Sequence, residues 1–169
     1  MKKFSTLSAL AVMTLGALTA QAQFTVDGTL GTTEVGTGTG KYQLVGTYTN
    51  AHSVTDRGLK ALYMGTTATT LNIMVVASPE QTGYSHLVLY LDMPNKTGIA
   101  AGTPLPGSSN GGSPLQQKPT MDMPTTDYGF RITMSPLNDA NNVMYLSRVD
   151  YTATATPNVY AETGMGSTR

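Results

Sequence analysis

The stretch Leu59–Met93 reads LKALYMGTTATTLNIMVVASPEQTGYSHLVLYLDM, and it decides the fold class of the chain. It contains three apolar runs, rich in Leu, Tyr or β-branched residues, with polar spacers between them. In Thr70–Ala77 and Ser85–Met93, alternate residues would point to opposite faces of a β-strand, and apolar residues occur on both faces. This pattern is typical of strands that are covered on two sides. We therefore predict that these runs are central β-strands and that Val75 and Leu89 are core residues.

Strand-like patterns continue outside this stretch, and no helical pattern joins them. After residue 22, apolar residues do not recur at positions i, i+3, i+4 and i+7. Further strands are predicted at residues 24–30, 42–49, 128–134, 143–151 and 153–160. Pro157 confines the last of these to a sheet edge. The sequence therefore predicts an all-β fold, a two-sheet antiparallel β-sandwich with jelly-roll or immunoglobulin-like topology.

The run Tyr128–Met134 predicts a specific orientation. Its larger apolar side chains alternate with Gly129, Arg131 and Thr133. Successive side chains of a strand point to opposite faces of the sheet. We therefore expect these three residues to face outward and the apolar set to face the core, namely Tyr128, Phe130, Ile132 and Met134.

Residues 1–22 have the composition of an export signal. Two lysines precede the apolar segment Thr6–Leu18, which is short for a membrane span, and Ala20-Gln21-Ala22 is a small-residue cleavage site. We predict cleavage after this site and a single mature β-sandwich domain at 23–169. The protein is then expected to be secreted, extracellular or on the cell surface, with the periplasm as the other compartment.

Charge and cysteine content narrow the classes of partner. Cleavage would remove two of the ten basic residues and none of the ten acidic residues, which leaves a net charge of −2. Such a chain lacks the basic patch that nucleic acids require and a basic amphipathic stretch for anionic lipid. We therefore expect no nucleic-acid partner and no membrane insertion after cleavage. With no cysteine, the domain must be stabilised by packing alone.

The segment Pro94–Thr126 differs from the rest of the chain. It holds six of the nine prolines together with several glycines, which disfavours long regular structure. Loops of this length are usually functional or disordered. We predict that any recognition involves this segment and the adjoining strand ends, and that a short strand near Thr120–Met123 interrupts it.

The order of these runs resembles that of secreted β-sandwich modules in extracellular and surface proteins of Bacteroidota. The motifs that carry the resemblance are Val26–Leu30, Leu59–Tyr63, Leu71–Ala77, Leu89–Asp92, Leu105–Gly107 and Asp127–Phe130. The resemblance implies a sandwich like those that bind carbohydrate or haem at cell surfaces, although the chain has no Trp to form a sugar platform and no evident Met/His pair for haem. Many such proteins carry a C-terminal sorting domain. None is visible before Arg169, so the chain is expected to be truncated there or anchored differently.

Three carboxylates flank the long segment. Asp92 precedes it, and Asp122 and Asp127 lie at its end. If they converge with backbone carbonyls, they form an oxygen-rich site that suits Ca²⁺. The alternative is that these aspartates cap turns. Calcium is therefore the one candidate cofactor, with Asp92, Asp122 and Asp127 as its ligands.

Aromatic residues are the other candidates for ligand contact. Tyr90 lies beside the predicted carboxylate site, and other strand tyrosines could also stack on a sugar. The alternative is packing within the sheet with a solvated hydroxyl. His52 and His86 have neither the spacing of metal ligands nor a nucleophile elbow nearby. We therefore predict that the protein is not an enzyme.

Two classes of function remain open from the sequence. The first is a non-catalytic module for binding or adhesion to glycan or another extracellular polymer, with Tyr90, Asp92, Asp122 and Asp127 as the contact residues. The second is a purely structural extracellular or matrix module without a small ligand. Exposed tyrosines beside a groove would favour the first class.

Overall fold

The computed structural model describes residues 24–51, 57–78, 82–107, 112–136, 143–152 and 162–168. The predicted signal segment, His52 and the predicted strand at 153–160 lie outside these residues. The regular elements are β1 (Gln43–Thr47), β2 (Gly58–Thr66), β3 (Leu71–Ser78), β4 (Ser85–Leu91), β5 (Ile99–Ala100), a 3₁₀ turn (Pro114–Gln116), β6 (Thr125–Thr126), β7 (Tyr128–Met134), β8 (Met144–Asp150) and β9 (Thr163–Thr168).

The strands form one three-stranded, one four-stranded and one two-stranded sheet. Their orders are β1-β2-β3, β4-β7-β8-β9 and β5-β6. The pairs β1–β2, β4–β7, β7–β8, β8–β9 and β5–β6 are antiparallel. The all-β class and the antiparallel sheets predicted from the sequence are therefore confirmed. The described part of the chain has no helix that is long and apolar enough to cross a lipid bilayer.

The chain divides into two compact units. The first comprises the described residues of 24–48 and 60–76, and the second those of 49–59 and 77–168. Most of the three-stranded sheet belongs to the first unit, and the four-stranded sheet belongs to the second.

In the first unit an aromatic pair packs beside a glycine. The rings of Phe24 and Tyr42 meet edge to face with centroids 4.5 Å apart, and both side chains are buried. A Cβ atom on Gly65 would lie 2.5 Å from the Phe24 ring and 2.4 Å from the backbone oxygen of Lys41. The absence of a side chain at this position therefore lets β2 approach the aromatic pair.

Glu34 organises the glycine-rich stretch before β1. Its carboxylate accepts hydrogen bonds from the backbone N–H of Thr25 (2.8 Å) and of Gly31 (2.9 Å). These backbone hydrogen bonds lower the pKa of Glu34. A parallel bridge between Val35 and Tyr42 then joins the stretch to the start of β1. The stretch is thus a turn stabilised by one side chain.

In the second unit the core lies on one face of the four-stranded sheet. Its fully buried residues are Leu105, Leu115, Val149 and Tyr151, and the half-buried residues packed against them are Val88, Tyr90, Ile99 and Met121. Leu105 and Leu115 come from the Pro94–Thr126 segment and are 1% and 0% exposed. The segment predicted to be a long recognition loop therefore provides the centre of the core.

Short backbone contacts hold this segment in place. β5 pairs with β6, and an antiparallel bridge joins Pro104 to Thr120. Two glycines make close crossings possible: a Cβ on Gly98 would lie 2.0 Å from the Thr126 oxygen, and one on Gly107 would lie 2.5 Å from the Gln116 oxygen. Within Thr120–Met123, where a short strand is expected, only the bridge at Thr120 forms, and β6 begins at Thr125.

The predicted orientation of β7 is wrong. The residues of this strand that are fully buried are Gly129 and Thr133, while the apolar set predicted to face the core is only half-buried. A Cβ on Gly129 would lie 2.8 Å from a methyl group of Leu115, so this glycine faces the core. The reason is that the Pro94–Thr126 segment covers the Gly129 face, which the alternation of side chains alone does not reveal.

The predicted core residues Val75 and Leu89 are half-buried and lie outside the buried core. Leu89 is paired with Phe130 in the regular β4–β7 register. It therefore points to the opposite face from Tyr90, which packs on the core.

Candidate binding site

The predicted carboxylate site lies where β4, β7 and β8 come together, and Asp127 is its structural centre. Asp127 is completely buried, and its Oδ2 accepts a 2.6 Å hydrogen bond from the backbone N–H of Met93. Its own N–H donates to the Leu91 oxygen, and its carbonyl accepts from the N–H of Tyr151, both at 2.8 Å. Among the described residues, Oδ1 has no hydrogen-bond partner. Asp127 therefore joins three strands and is shielded from solvent.

The other two carboxylates are exposed to solvent. Asp92 accepts a 2.9 Å hydrogen bond from the hydroxyl of Thr125 and a longer one from the backbone N–H of Thr125. These two hydrogen bonds connect the end of β4 to β6. Asp122 is exposed between the bridge and β6. The described residues include no group of three or more His, Cys, Asp or Glu side chains that could hold a metal ion. The calcium site remains a prediction.

Tyr90 is part of the packed interior. It is half-buried against the core, and a Cβ on Gly129 would come within 3.2 Å of its ring. Burial raises the pKa of Tyr90. The structure thus places Tyr90 and Asp127 in packing and strand-joining roles, and it leaves Asp92 and Asp122 at the surface.

Replacing Asp127 with Ala is expected to lower the free energy of unfolding by about 2–3 kcal/mol, because the Met93 N–H would lose its acceptor and a cavity would replace the buried side chain. Asp127→Asn retains an acceptor oxygen and should cost less. Asp122→Ala is the matched control at an exposed carboxylate and should have little effect. Urea unfolding measures all three, and an Asp127→Ala variant as stable as the control would show that the hydrogen bond contributes nothing.

A second group of polar side chains lies on the same face of the four-stranded sheet as the core, toward the other ends of the strands. The β4–β7–β8 register places His86, Thr133 and Tyr145 in one row, and Val88, Arg131 and Ser147 in the next. Val88 already packs against the core, and the following row, Tyr90, Gly129 and Val149, belongs to it. This face therefore changes from apolar and covered at one end to polar and open at the other.

Arg131 is the centre of this polar group. Its Nε donates to the Ser147 hydroxyl oxygen at 3.0 Å, and its Nη2 lies 3.0 Å from Oε1 of Glu162. The Ser147 hydroxyl also donates to Glu162. Glu162 directly precedes β9, so residues from β7, from β8 and from the start of β9 meet here. Arg131 and Glu162 form an ion pair, and the Ser147 hydroxyl is hydrogen-bonded to both of them.

His86 lies at the opposite edge of the group. Its Nδ1 is 2.8 Å from the hydroxyl of Thr133, which is buried. Burial lowers the pKa of His86, and so does the positive charge of Arg131, while Glu162 has the opposite effect. Because the pKa of an unperturbed His is already below 7, the His86 imidazole is neutral at neutral pH.

Two tyrosines border an open depression above these residues. Tyr84 and Tyr145 are 56% and 38% exposed. Together with His86, Arg131, Thr133 and Gly112 they line a volume of about 350 Å³. A second volume of about 450 Å³ adjoins it at Arg131 and Tyr145 and extends to Leu146, Ser147, Glu162, Gly164 and Gly166. We call the two volumes and their lining the polar depression.

The sequence indicates only part of this depression. It predicts that Arg131 and Thr133 face solvent, whereas Thr133 is buried, and it suggests His86 only as a base or a metal ligand. Glu162 gave no signal, because it is 31 positions from Arg131 and their contact depends on the β8–β9 pairing. The β7–β8 register, had it been known, would have placed Arg131 beside Ser147.

Comparisons with protein-family models, with curated proteins and with solved structures found no match. The assignment of function therefore depends on the geometry of the described residues.

Proposed function

We propose that this protein is a secreted, non-catalytic module for binding or adhesion to glycan or another extracellular polymer, and that the polar depression is its contact surface. The observation that carries the proposal is the pair of exposed rings, Tyr84 and Tyr145, beside hydrogen-bonded polar side chains on a regular sheet. Aromatic rings with one polar end suit ligands that are partly apolar and partly hydroxylated. Secretion and the two-sheet sandwich predicted from the sequence are parts of this proposal.

The chemistry of the depression favours binding over catalysis. The Glu162 carboxylate is already engaged by Arg131 and Ser147, so its Oε1 is not available to accept a proton from a substrate. His86 is hydrogen-bonded to a threonine, and no carboxylate orients it among the described contacts. Catalytic acids and bases need a reacting proton within reach and a pKa close to the working pH.

The exposed residues of the predicted carboxylate site have a secondary place in the proposal. Asp92 and Asp122 could extend the contact surface or bind Ca²⁺ with backbone oxygens. Tyr90 and Asp127 would then contribute by fixing the strand ends. Adding Ca²⁺ or a chelator in the binding experiment below tests whether the metal takes part.

Replacing Tyr145 with Ala is expected to weaken glycan binding about tenfold, which corresponds to the loss of one stacking contact of about 1.4 kcal/mol. Tyr48→Ala is the matched control, because Tyr48 is similarly exposed at 44% and does not line the depression. A glycan array on the mature protein selects the ligand, and calorimetry measures the affinities.

Both variants remove exposed rings, so thermal melting should show that each remains folded. Equal losses in the two variants, or no loss in Tyr145→Ala, would contradict the polar depression as the contact surface.

The second candidate is a structural module, and the exposed edge strand β1 favours it. All five residues of β1 are exposed, with Leu44 at 52% and Val45 at 57%. The strand carries no charge, so a second copy of the chain can meet it without charge repulsion. Light scattering that shows association with rising concentration, together with an empty glycan array, would favour this candidate over the first.

A further inference from the structure

We infer that the polar depression takes an uncharged saccharide, bound through neighbouring hydroxyl groups by the Arg131–Glu162 pair, rather than an acidic polysaccharide. The inference rests on the proposed function and specifies its ligand class. Three features of the depression support it: its charge balance, its hydrogen-bonding pattern and its aromatic border.

The charge balance of the depression is neutral. Among the described residues that line it, the charged side chains are Arg131 and Glu162, and they are paired at 3.0 Å. His86 also lines the depression, and its imidazole is neutral at neutral pH because burial and the charge of Arg131 lower its pKa. A carboxylate or sulfate bound to Arg131 would lie close to the half-buried carboxylate of Glu162, and the two negative charges would repel each other. The site therefore opposes an anionic ligand.

The hydrogen-bonding pattern matches hydroxyl groups. A guanidinium has five N–H donors, and the described contacts of Arg131 use two of them, one to Ser147 and one to Glu162. Glu162 accepts both of its described hydrogen bonds through Oε1. Donors and acceptors therefore lie next to each other. A hydroxyl group can both donate and accept, so two neighbouring hydroxyls can bridge the pair without breaking it.

The aromatic border adds a further preference. The faces of tyrosine rings carry negative partial charge and attract C–H groups and cations rather than anions. Tyr84 and Tyr145 border the same volume of about 350 Å³. This volume is at the lower end of ligand pockets, which suits a short stretch of a saccharide chain. The rings and the ion pair thus favour the same uncharged ligand.

The test compares neutral with acidic polysaccharides on the full mature chain. Binding of neutral glucans or mannans is expected to change less than about twofold between about 50 and 300 mM NaCl, because no net charge is involved. Uronic-acid and sulfated polymers are expected to bind at least tenfold more weakly. Preferential binding of acidic polymers, with affinity falling steeply as salt rises, would overturn the inference and leave the proposed function standing.

A charge variant gives an independent measurement. Glu162→Gln keeps the size of the side chain and leaves Arg131 as an unpaired cation. It should weaken neutral-glycan binding about tenfold and strengthen binding of acidic polymers. Asp27→Asn is the matched control, since it removes one exposed carboxylate that lies outside the depression and outside the predicted carboxylate site. If Glu162→Gln does not fold, the salt series on the unmodified protein decides alone. If the unmodified protein binds neither neutral nor acidic polysaccharides, both the proposed function and the inference are overturned.

Discussion

We expect the replacement of Leu115 with Ala to lower the free energy of unfolding by about 3 kcal/mol. This is among the larger effects that we expect from a single truncation in this chain. Leu115 is completely buried and contacts the core from a 3₁₀ turn in the proline-rich segment. Its backbone oxygen also lies within 3.4 Å of the Tyr151 hydroxyl. Truncation would leave a cavity that the sheet residues on the other side cannot fill by moving.

Leu59→Ala is the matched control for this prediction. The chemical change is the same, but Leu59 is 40% exposed, so the expected loss is below about 1 kcal/mol. Urea unfolding followed by circular dichroism measures both variants. If Leu115→Ala lowers the free energy of unfolding no more than Leu59→Ala does, the Pro94–Thr126 segment does not form the core and the burial of Leu115 does not stabilise the fold.

Replacing Gly98 with Ala is expected to destabilise the protein by about 3 kcal/mol or more, because the added methyl meets backbone instead of a movable side chain. Its Cβ would lie 2.0 Å from the Thr126 oxygen and 2.8 Å from the Cα of Asp127. Relief of this overlap requires the β5–β6 pair to separate, and Asp127 is the residue that joins three strands.

Gly83→Ala tests whether the effect comes from the close contact or from the loss of a glycine as such. No atom lies within 4 Å of a Cβ at Gly83, so this variant should be neutral or slightly stabilising. Thermal melting of both variants gives the comparison. Similar melting temperatures for the two would mean that the crossing at Gly98 can relax at little cost.

The strands of this protein could be located from the sequence wherever their own residues carried the pattern. The predicted strand at 128–134 coincides with β7, and the predicted run that begins at Ser85 ends two residues after β4. The class could be predicted because alternation with β-branched and aromatic residues is a local property. Two local predictions differ: residues 24–30 form no strand, and β9 was not predicted. Gly164 and Gly166 make β9 a poor strand former by itself, so its pairing with β8 determines its structure.

The covered face and the candidate site could not be predicted, because both depend on contacts between distant residues. The alternation of side chains in β7 shows that the strand has two different faces. It does not show which of the two faces another part of the chain will cover. Leu115 faces Gly129, and Glu162 binds Arg131. Neither contact follows from the neighbours of these residues. The sequence predicted Asp92, Asp122 and Asp127 as ligand contacts, and that role stays a prediction, but the burial of Asp127 depends on the segment that folds over it.

The proline- and glycine-rich segment has a consequence for how this chain can diverge. Its composition resembles that of regions that accept insertions and substitutions freely, yet Leu105 and Leu115 are among the most enclosed aliphatic side chains of the described structure. Gly98 and Gly107 have no room for any side chain. Natural selection should therefore hold this irregular segment more tightly than the apolar strand face that carries Leu89. Descendants of this sequence would keep a pattern of isolated leucines and glycines between otherwise changeable prolines and serines.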